Sequence, residues 1–208
     1  MKIQFVYPSW TGEYGILAHF ARRASIYPPL NLALLAAIAQ QHGHEASIID
    51  GEAHGLRMEE LIKQSIAAKP DVIAMTGMSP FFHLARDFAQ GVKAQGCKIP
   101  IIIGGQHITI MEKEVFFPEF DYGVIGECEN TLPEILKRLE DGKDISDIKG
   151  ILHRRNGEIL YTGKNHYDRQ LDKLPFPARH LLPMDKYRIG TLNGRKHFTS
   201  IQTIRGCP

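Results

Sequence analysis

Small, hydroxyl-bearing and aromatic residues stand directly after four of the apolar runs in this chain of 208 residues. Glycines let a ligand approach the main chain closely, and hydroxyl groups offer hydrogen bonds. Trp10, the only tryptophan, is suited to closing over a flat ligand. No titratable pair has a spacing typical of acid–base catalysis, so these residues indicate binding, and none is assigned as catalytic. The candidate ligand-binding residues are Ser9, Trp10, Thr11, Thr76, Gly77, Met78, Ser79, Gly104, Gly105, His107, Gly126 and Glu127.

Several of the candidates also have a plain structural explanation, although helix capping at Ser79 does not account for Thr76 and Gly77 before it. Residues 8–27 form one long loop, which could be only a flexible surface segment. Ser79 precedes a proline, as in a usual helix start, and Gly104 with Gly105 suits a tight strand-to-helix turn as well as a ligand wall. His107 is more often a hydrogen-bonded loop residue than a ligand. The sequence has neither Gly-x-Gly-x-x-Gly nor a P-loop, so a phosphate-binding loop is the weaker alternative.

A regular alternation of strands and helices over the first 140 residues must position these groups. Continuous apolar runs such as Val72-Ile73-Ala74-Met75 are typical of parallel strands covered by helices on both faces. The pattern predicts a doubly wound, Rossmann-like α/β domain with a five-stranded parallel sheet. Ligands of such sheets bind beyond the carboxyl ends of the strands, where the candidates stand. The predicted strands are 2–7, 45–50, 71–76, 100–103 and 122–125, and the predicted helices are 30–41, 58–68, 84–95 and 132–140.

The alternation ends before the last third of the chain. Asn156-Gly157 between the strand-like runs 149–154 and 158–162 predicts a β-hairpin. Three prolines within 172–183 favour an extended linker, and 198–204 resembles the opening strand of another unit. The predicted division is a ligand-binding domain over residues 1–142, followed by the hairpin, the linker and the first strand of a second domain over residues 143–208.

Composition excludes several classes of protein. The net charge is +2, and the 25 basic and 23 acidic residues are mixed along the chain, so a nucleic-acid-binding surface is not indicated. Met1 leads directly into a strand without a signal region, and the longest apolar stretch, residues 30–39, is too short to span a bilayer. Three scattered cysteines indicate reduced thiols. We therefore expect a cytoplasmic protein that does not enter a membrane.

Several segments, taken together, resemble the successive signatures of the cobalamin-dependent radical S-adenosylmethionine (SAM) family. The match spans nearly the whole chain, and the order and spacing of the segments make the set specific. The ending Arg205-Gly206-Cys207-Pro208 is similar to the start of that family's Cys-x-x-x-Cys-x-x-Cys motif. The other segments are Tyr27-Pro28-Pro29-Leu30-Asn31-Leu32-Ala33, His42-Gly43-His44-Glu45 with Ile49-Asp50, Gly104-Gly105-Gln106-His107, Asp121-Tyr122-Gly123-Val124-Ile125-Gly126-Glu127 and Leu174-Pro175-Phe176-Pro177-Ala178-Arg179.

The resemblance implies that this chain binds cobalamin. It also implies a 4Fe-4S cluster and SAM in the full-length protein, with Cys207 as the first of three cluster ligands. Because one cysteine cannot hold the cluster, we expect a fragment that is inactive alone and whose partner is the remainder of its own radical SAM barrel. The implied activity is methyl transfer to an unactivated carbon or phosphorus centre, or a related ring closure. The substrate stays open.

One departure concerns the cobalt ligand. Corrinoid carriers of the methionine-synthase type have Asp-x-His-x-x-Gly after the first strand, whereas this loop begins Pro8-Ser9-Trp10-Thr11-Gly12. The resemblance therefore implies cobalamin without a protein imidazole on cobalt and with its nucleotide tail near Gly104 and Gly105. His19 and His83 are the alternatives for reaching cobalt, although a solvated or capping role is favoured for both. The competing classes are a stand-alone corrinoid carrier and a flavodoxin-like binding module.

Overall fold

The computed structural model describes residues 1–17, 25–165, 171–189 and 198–203. The strands are β1 (Lys2–Tyr7), β2 (Ser25–Ile26), β3 (Glu45–Asp50), β4 (Val72–Thr76), β5 (Ile101–Gly104), β6 (Tyr122–Val124), β7 (Ile151–Arg155), β8 (Glu158–Tyr161) and β9 (Arg188–Ile189). The α-helices are α1 (Leu30–Gln41), α2 (Gly51–His54), α3 (Met58–Ala67), α4 (Phe82–Ala94), α5 (Gln106–Met111) and α6 (Thr131–Glu140). Short 3₁₀ segments cover Thr11–Leu17, Ser79–Phe81, Glu112–Val115, Leu171–Lys173 and Arg179–Leu181.

Seven strands form one sheet in the order β3-β1-β4-β5-β6-β7-β8. The first five in that order are parallel, with helices in the connections between them. This is the flavodoxin-like arrangement of a doubly wound domain. The predicted fold class, a doubly wound Rossmann-like α/β domain with five parallel strands, is therefore confirmed.

Both faces of the sheet are buried, which explains why its strands are continuously apolar. Phe5, Ala74 and Ile102 face one side, together with residues of α1 and α6. Ile73 and Ile103 face the other side, together with residues of α3 and α4. Neighbouring residues of one strand therefore serve two separate cores, as the two-residue period of a strand requires.

The predicted hairpin is confirmed, and it continues the parallel sheet. Asn156 and Gly157 have φ angles of 53° and 84°, the pair of positive values that a tight two-residue turn needs. β7 pairs antiparallel with β6, and β8 pairs antiparallel with β7. An antiparallel pair needs no crossover helix, so these two strands extend the sheet at its free edge.

The segment after the hairpin packs on the first domain. Ala178 donates its backbone N–H to the carbonyl of Ala33 in α1, and Tyr187 lies in a small buried cluster with Ile26 and Leu182. β9 pairs antiparallel with β2. The predicted extended linker thus includes two short 3₁₀ segments, and the predicted domain boundary at residue 142 stays a prediction.

Two expectations near the chain's end have different outcomes. Within 198–204, the described residues 198–203 form no strand, and the guanidinium of Arg179 instead donates to Thr199 Oγ1 and to the carbonyl of Ser200. Cys207 lies outside the described residues, as does His19.

Among the helices that the structure describes, none has the length and apolar character needed to cross a bilayer. The cytoplasmic location stays a prediction.

Candidate functional site

The carboxyl ends of β1, β4, β5 and β6 meet along one edge of the sheet. β3 pairs with one side of β1 and β4 with the other side, so the order of the strands reverses between β1 and β4. Ligands of open parallel sheets bind at such a reversal, because the flanking loops diverge there and leave a crevice. The four loops identified from the sequence therefore lie at the edge where sheets of this kind bind ligands.

A cavity of about 650 Å³ opens at this edge, between the sheet and helices α1, α5 and α6. Its volume falls within the range of about 300–1,000 Å³ that is usual for small-molecule sites. It brings together residues from three of the four predicted loops. The predicted residues that line it are Thr76, Gly104, Gly105, Gly126 and Glu127.

The cavity has an apolar interior. Ala74 lies between Phe5 of β1 and Ile102 of β5 in the register of the sheet, and all three line the floor with Val124 of β6. Because Ala74 has only a methyl group, it leaves room between two larger neighbours. The helical wall is also apolar and consists of Leu32 and Leu35 of α1 and Leu132 of α6.

Polar side chains are concentrated at the mouth of the cavity. Thr76, the last residue of β4, accepts a 3.2 Å hydrogen bond at Oγ1 from the exposed amide of Asn31. The floor residues Phe5, Ala74 and Ile102 come two positions before the ends of their strands, so they lie deeper. The site can therefore take a ligand with an apolar inner end and a polar outer part. The polar lining residues are Asn31, Thr76, Gln106, Thr109, Glu127, Glu129 and Gln202.

Gly104 is a position in the cavity wall where a side chain would have space. A β-carbon at this position would have its nearest neighbours, the carbonyl oxygens of Met75 and Val124, 3.9 Å away. The position can therefore carry a side chain without a clash, and that side chain would occupy cavity space.

Gly105 is constrained by the protein itself. Its φ of 99° and ψ of −177° belong to a region that only glycine adopts readily. A β-carbon there would lie 2.6 Å from Thr76 Oγ1 and 2.9 Å from both the nitrogen and the oxygen of Gly77. Two backbone hydrogen bonds fix this approach: Gly77 N–H donates to Gly104 O at 2.9 Å, and His107 N–H donates to Gly77 O at 3.1 Å. Gly105 thus lets the loops after β4 and β5 touch.

Thr109 joins two of the predicted loops, although it was not among the residues predicted from the sequence. Its hydroxyl donates to the carbonyl of Gly105 at 2.8 Å and accepts the backbone N–H of Gly126 at 3.0 Å. Thr109 is one helical turn beyond Gly105, so only the helical period after the glycine pair could have pointed to it. Asn31 was also missed, although it lies in a segment quoted for the family resemblance.

A buried carboxylate holds the loop after β1. Glu52 is 3% exposed, and its Oε2 accepts hydrogen bonds from Ser9 Oγ at 2.9 Å, Trp10 N at 2.9 Å and Thr11 N at 3.1 Å. Ser9 and Thr11 were predicted to bind the ligand, but neither lines the large cavity, and both are engaged by Glu52. Glu52 was not singled out from the sequence, because it becomes significant only when β3 brings it beside β1.

Trp10 lies at the reversal point of the sheet. Its ring stacks on Phe81 at 5.3 Å between centroids and meets Tyr14 edge-on at 6.1 Å. With Met78 and Thr76 it lines a much smaller depression of about 20 Å³. Trp10 and Met78 therefore lie beside the mouth of the main cavity and do not line its interior.

The remaining predicted polar groups pair with each other. His107 Nδ1 lies 3.1 Å from Ser79 Oγ, and the His107 ring packs on Phe82 at 4.5 Å between centroids. The helix start that the sequence indicated at Ser79 and its following proline is a 3₁₀ segment, which begins at Ser79 and has Met78, not Ser79, in the N-cap position. Gly77 is likewise needed for packing, because a β-carbon would lie 2.4 Å from the Phe82 ring. Neither His107 nor any other described histidine lines the large cavity.

Two titratable groups near the site are neutral at physiological pH. Burial, reinforced by the charges of Asp50 and Glu52, raises the pKa of Tyr7 to about 12. Burial also raises the pKa of Cys128 to about 12, with a further contribution from the charge of Glu129. Cys128 lines the cavity, and its raised pKa favours the protonated thiol over the thiolate there.

The fold and this cavity define a cofactor-binding domain of the doubly wound α/β class. The model of the B12 binding domain family matches residues 17–136, more than half of the chain. The chain belongs to that family. The match runs from the loop after β1 to α6 and so includes most of the residues that line the cavity.

Two proteins of known sequence are similar to this chain over most of its length. An uncharacterized methyltransferase of Pyrococcus horikoshii is 30% identical over 183 residues, which are 87% of this chain and 39% of that protein. The anaerobic magnesium-protoporphyrin IX monomethyl ester cyclase of Synechocystis sp. is 25% identical over 197 residues, or 87% of this chain and 36% of that protein. The chain thus spans less than half the length of the relatives it matches.

A solved structure shares the fold. The radical SAM methyltransferase TsrM from Kitasatospora setae, with cobalamin and a 4Fe-4S cluster bound, superimposes with a TM-score of 0.66 at 16% identity. The match covers 85% of this chain and 31% of that one. At this identity the likeness shows a shared fold. Together with the family match and the methyltransferase and cyclase relatives, it confirms the resemblance to the cobalamin-dependent radical SAM family that was drawn from the sequence.

Proposed function

We propose that this chain holds cobalamin for a radical SAM methyltransferase, or for a related enzyme that closes a ring. The cavity at the carboxyl edge carries the proposal, because most of its lining residues fall in the region that matches the B12 binding family. The relatives support both activities: one is named a methyltransferase and the other a cyclase. The methyl acceptor would be an unactivated carbon or phosphorus centre.

The residues fit such a cofactor. The cavity's volume and apolar interior suit the flat base of the nucleotide tail, and Gly104 leaves space that a side chain would fill. Thr76 and Asn31 at the mouth would hydrogen-bond the polar part of the tail. The loop that carries Trp10, fixed by Glu52, would lie next to the macrocycle.

When bound, cobalamin supplies a transferable methyl group on cobalt. This chain's own part is to hold the cofactor and to keep protein imidazole away from the metal. Consistent with that part, His107 contacts Ser79, and His83 Nε2 lies 3.0 Å from Glu13 Oε2. The 4Fe-4S cluster and SAM would belong to the full-length protein, with Cys207 as the first cluster ligand, and the enzyme would act in the cytoplasm.

The two competing classes of protein differ from the proposed one, the first in the cofactor that it binds and the second in the length of its chain. The strand order is also that of flavodoxins, which bind a flavin at the same edge. The family match favours cobalamin over flavin. A stand-alone corrinoid carrier is less well supported, because the relatives that match are more than twice as long as the matched region.

Reconstitution tests the proposal directly. The purified chain is mixed with hydroxocobalamin or with flavin mononucleotide, passed through a gel-filtration column, and examined by absorption spectroscopy. We expect the corrinoid bands to elute with the protein and the flavin to be lost. Co-elution of flavin without cobalamin, or of neither, would overturn the proposal.

A further inference from the structure

The deep end of the cavity differs chemically from its mouth. The seven side chains of the interior are all hydrocarbon: Phe5, Leu32, Leu35, Ala74, Ile102, Val124 and Leu132. None of them donates or accepts a hydrogen bond. Phe5, Ile102, Val124 and Leu132 are nearly or fully buried. Any polar atom of a ligand that enters this end therefore loses its water without gaining a partner side chain.

Backbone groups of the floor do not supply a partner either. The floor residues lie within the parallel part of the sheet, where β1, β4, β5 and β6 are paired with their neighbours. The backbone groups that leave this pairing are at the strand ends, for example Gly77 N–H and Gly104 O, which bond each other at 2.9 Å. Among the described residues, the inner part of the cavity is thus lined by hydrocarbon side chains and paired backbone, and the Cys128 thiol, which packs beside them, is only a weak hydrogen-bonding group.

We infer that this domain selects corrinoids by their lower base, and that Ala74 is the residue that sets this selectivity. The inference rests on the proposed function. Dimethylbenzimidazole, the base of cobalamin, presents two methyl groups and a hydrocarbon ring edge. Adenine, the base of pseudocobalamin, presents an amino group and additional ring nitrogens. A tenfold difference in affinity corresponds to about 1.4 kcal/mol, which lies within the range measured for a buried polar group left without a partner.

Ala74 decides what fits because of its place in the sheet. It lies directly between Phe5 and Ile102, and its methyl group is the smallest side chain of the floor. A larger residue would fill the space between these neighbours and exclude any base. A hydroxyl at the same position would give adenine a hydrogen-bonding partner.

Selection by the lower base is tested with three corrinoids: cobalamin, pseudocobalamin and cobinamide, which lacks the nucleotide tail. Equilibrium binding to the 208-residue chain is measured by absorption and by quenching of Trp10 fluorescence. We expect cobalamin to bind about tenfold or more tightly than pseudocobalamin. Cobinamide should be the weakest of the three, because it cannot use the cavity.

Two substitutions test whether Ala74 sets the selectivity between cobalamin and pseudocobalamin. Ala74→Leu should reduce cobalamin binding to the level of cobinamide and leave cobinamide binding unchanged. Ala74→Ser should narrow the difference between cobalamin and pseudocobalamin, and it is small enough to fold if Ala74→Leu does not. Ala94→Leu, the same enlargement at an exposed site at the end of α4, is the matched control and should bind all three corrinoids like the wild type.

The outcomes separate this inference from the proposed function. Equal affinities for cobalamin and pseudocobalamin would overturn the selectivity while leaving cobalamin binding intact. Wild-type discrimination in a folded Ala74→Ser variant would remove Ala74 from the role. If none of the three corrinoids binds, the proposed function fails and the inference falls with it.

Discussion

The phenolic oxygen of Tyr187 donates a 2.6 Å hydrogen bond to Oδ2 of Asp50, across 137 positions of sequence. Asp50 ends β3, and Tyr187 directly precedes β9, which pairs with β2. Both side chains are buried. Because β2 leads into α1, a wall of the cavity, this bond ties the C-terminal segment to the cofactor-binding domain.

Removal of the Tyr187 hydroxyl should destabilise the fold. In Tyr187→Phe the ring still fills its site, but Oδ2 of the buried Asp50 loses its donor. We expect the free energy of unfolding to fall by about 1–3 kcal/mol, measured by urea denaturation. Tyr27→Phe removes the same hydroxyl from an exposed ring and is the control. Equal stabilities of the two variants would show that the bond does not stabilise the fold.

The carboxyl group of Asp50 should make the stability of the fold depend on pH. Burial raises the pKa of Asp50, against the lowering effect of the hydrogen bonds from Tyr187 and Ala53. A carboxyl whose pKa is higher in the folded than in the unfolded chain makes stability fall as pH rises from about 4 towards the folded pKa. The stability of the wild type relative to Asp50→Asn should therefore decrease from pH 4 to pH 7 in urea titrations. An increase over that range would contradict the assignment.

The two glycines of the cavity wall should respond differently to valine. In Gly104→Val the branches enter open cavity space, so we expect cobalamin affinity to fall at least about tenfold with a near-native melting temperature. In Gly105→Val the backbone conformation is strained and the side chain meets Thr76 and Gly77, so stability should fall by about 2 kcal/mol or more. Thermal melts and cobalamin titrations measure both effects. A well-folded Gly104→Val with unchanged affinity would exclude this wall from the site.

The carboxylate of Glu52 should control the loop after β1. Glu52→Gln replaces a carboxylate, on which four backbone and side-chain donors converge, by a neutral amide. We expect a loss of about 1–3 kcal/mol in unfolding free energy and a shifted emission of Trp10, since the loop loses charge-assisted hydrogen bonds. Glu59→Gln, at an exposed position, is the control. An unchanged Trp10 spectrum would show that other contacts hold the loop.

The cobalt of bound cobalamin should carry no protein imidazole. The motivation is the missing Asp-x-His-x-x-Gly motif, together with the contacts of His83 and His107 to other side chains. Electron paramagnetic resonance of the Co(II) form should therefore show no nitrogen superhyperfine splitting from a lower ligand. A nitrogen triplet would point to His19 or His83, and His83→Ala would decide between them.

The sequence alone was sufficient for the fold class and for the edge of the sheet at which the candidate cavity lies. Continuous apolar runs such as residues 72–75 indicate parallel strands that are buried on both faces, because a strand covered on both sides has no polar face. The turn residues Asn156 and Gly157 determined the hairpin through their tolerance of positive φ. Since parallel strands end at one edge, the sequence alone groups the residues that follow them.

Which residues line the cavity was decided only by the tertiary structure. Ser9 and Thr11 have the same chemistry as Thr76 and Thr109, but the register of β1 beside β3 directs them to Glu52. Sequence places each residue along its own strand or loop. Its neighbours come from strands and helices far away in the chain. A contact such as Tyr187 to Asp50, or the space above Ala74, exists only once those elements have packed.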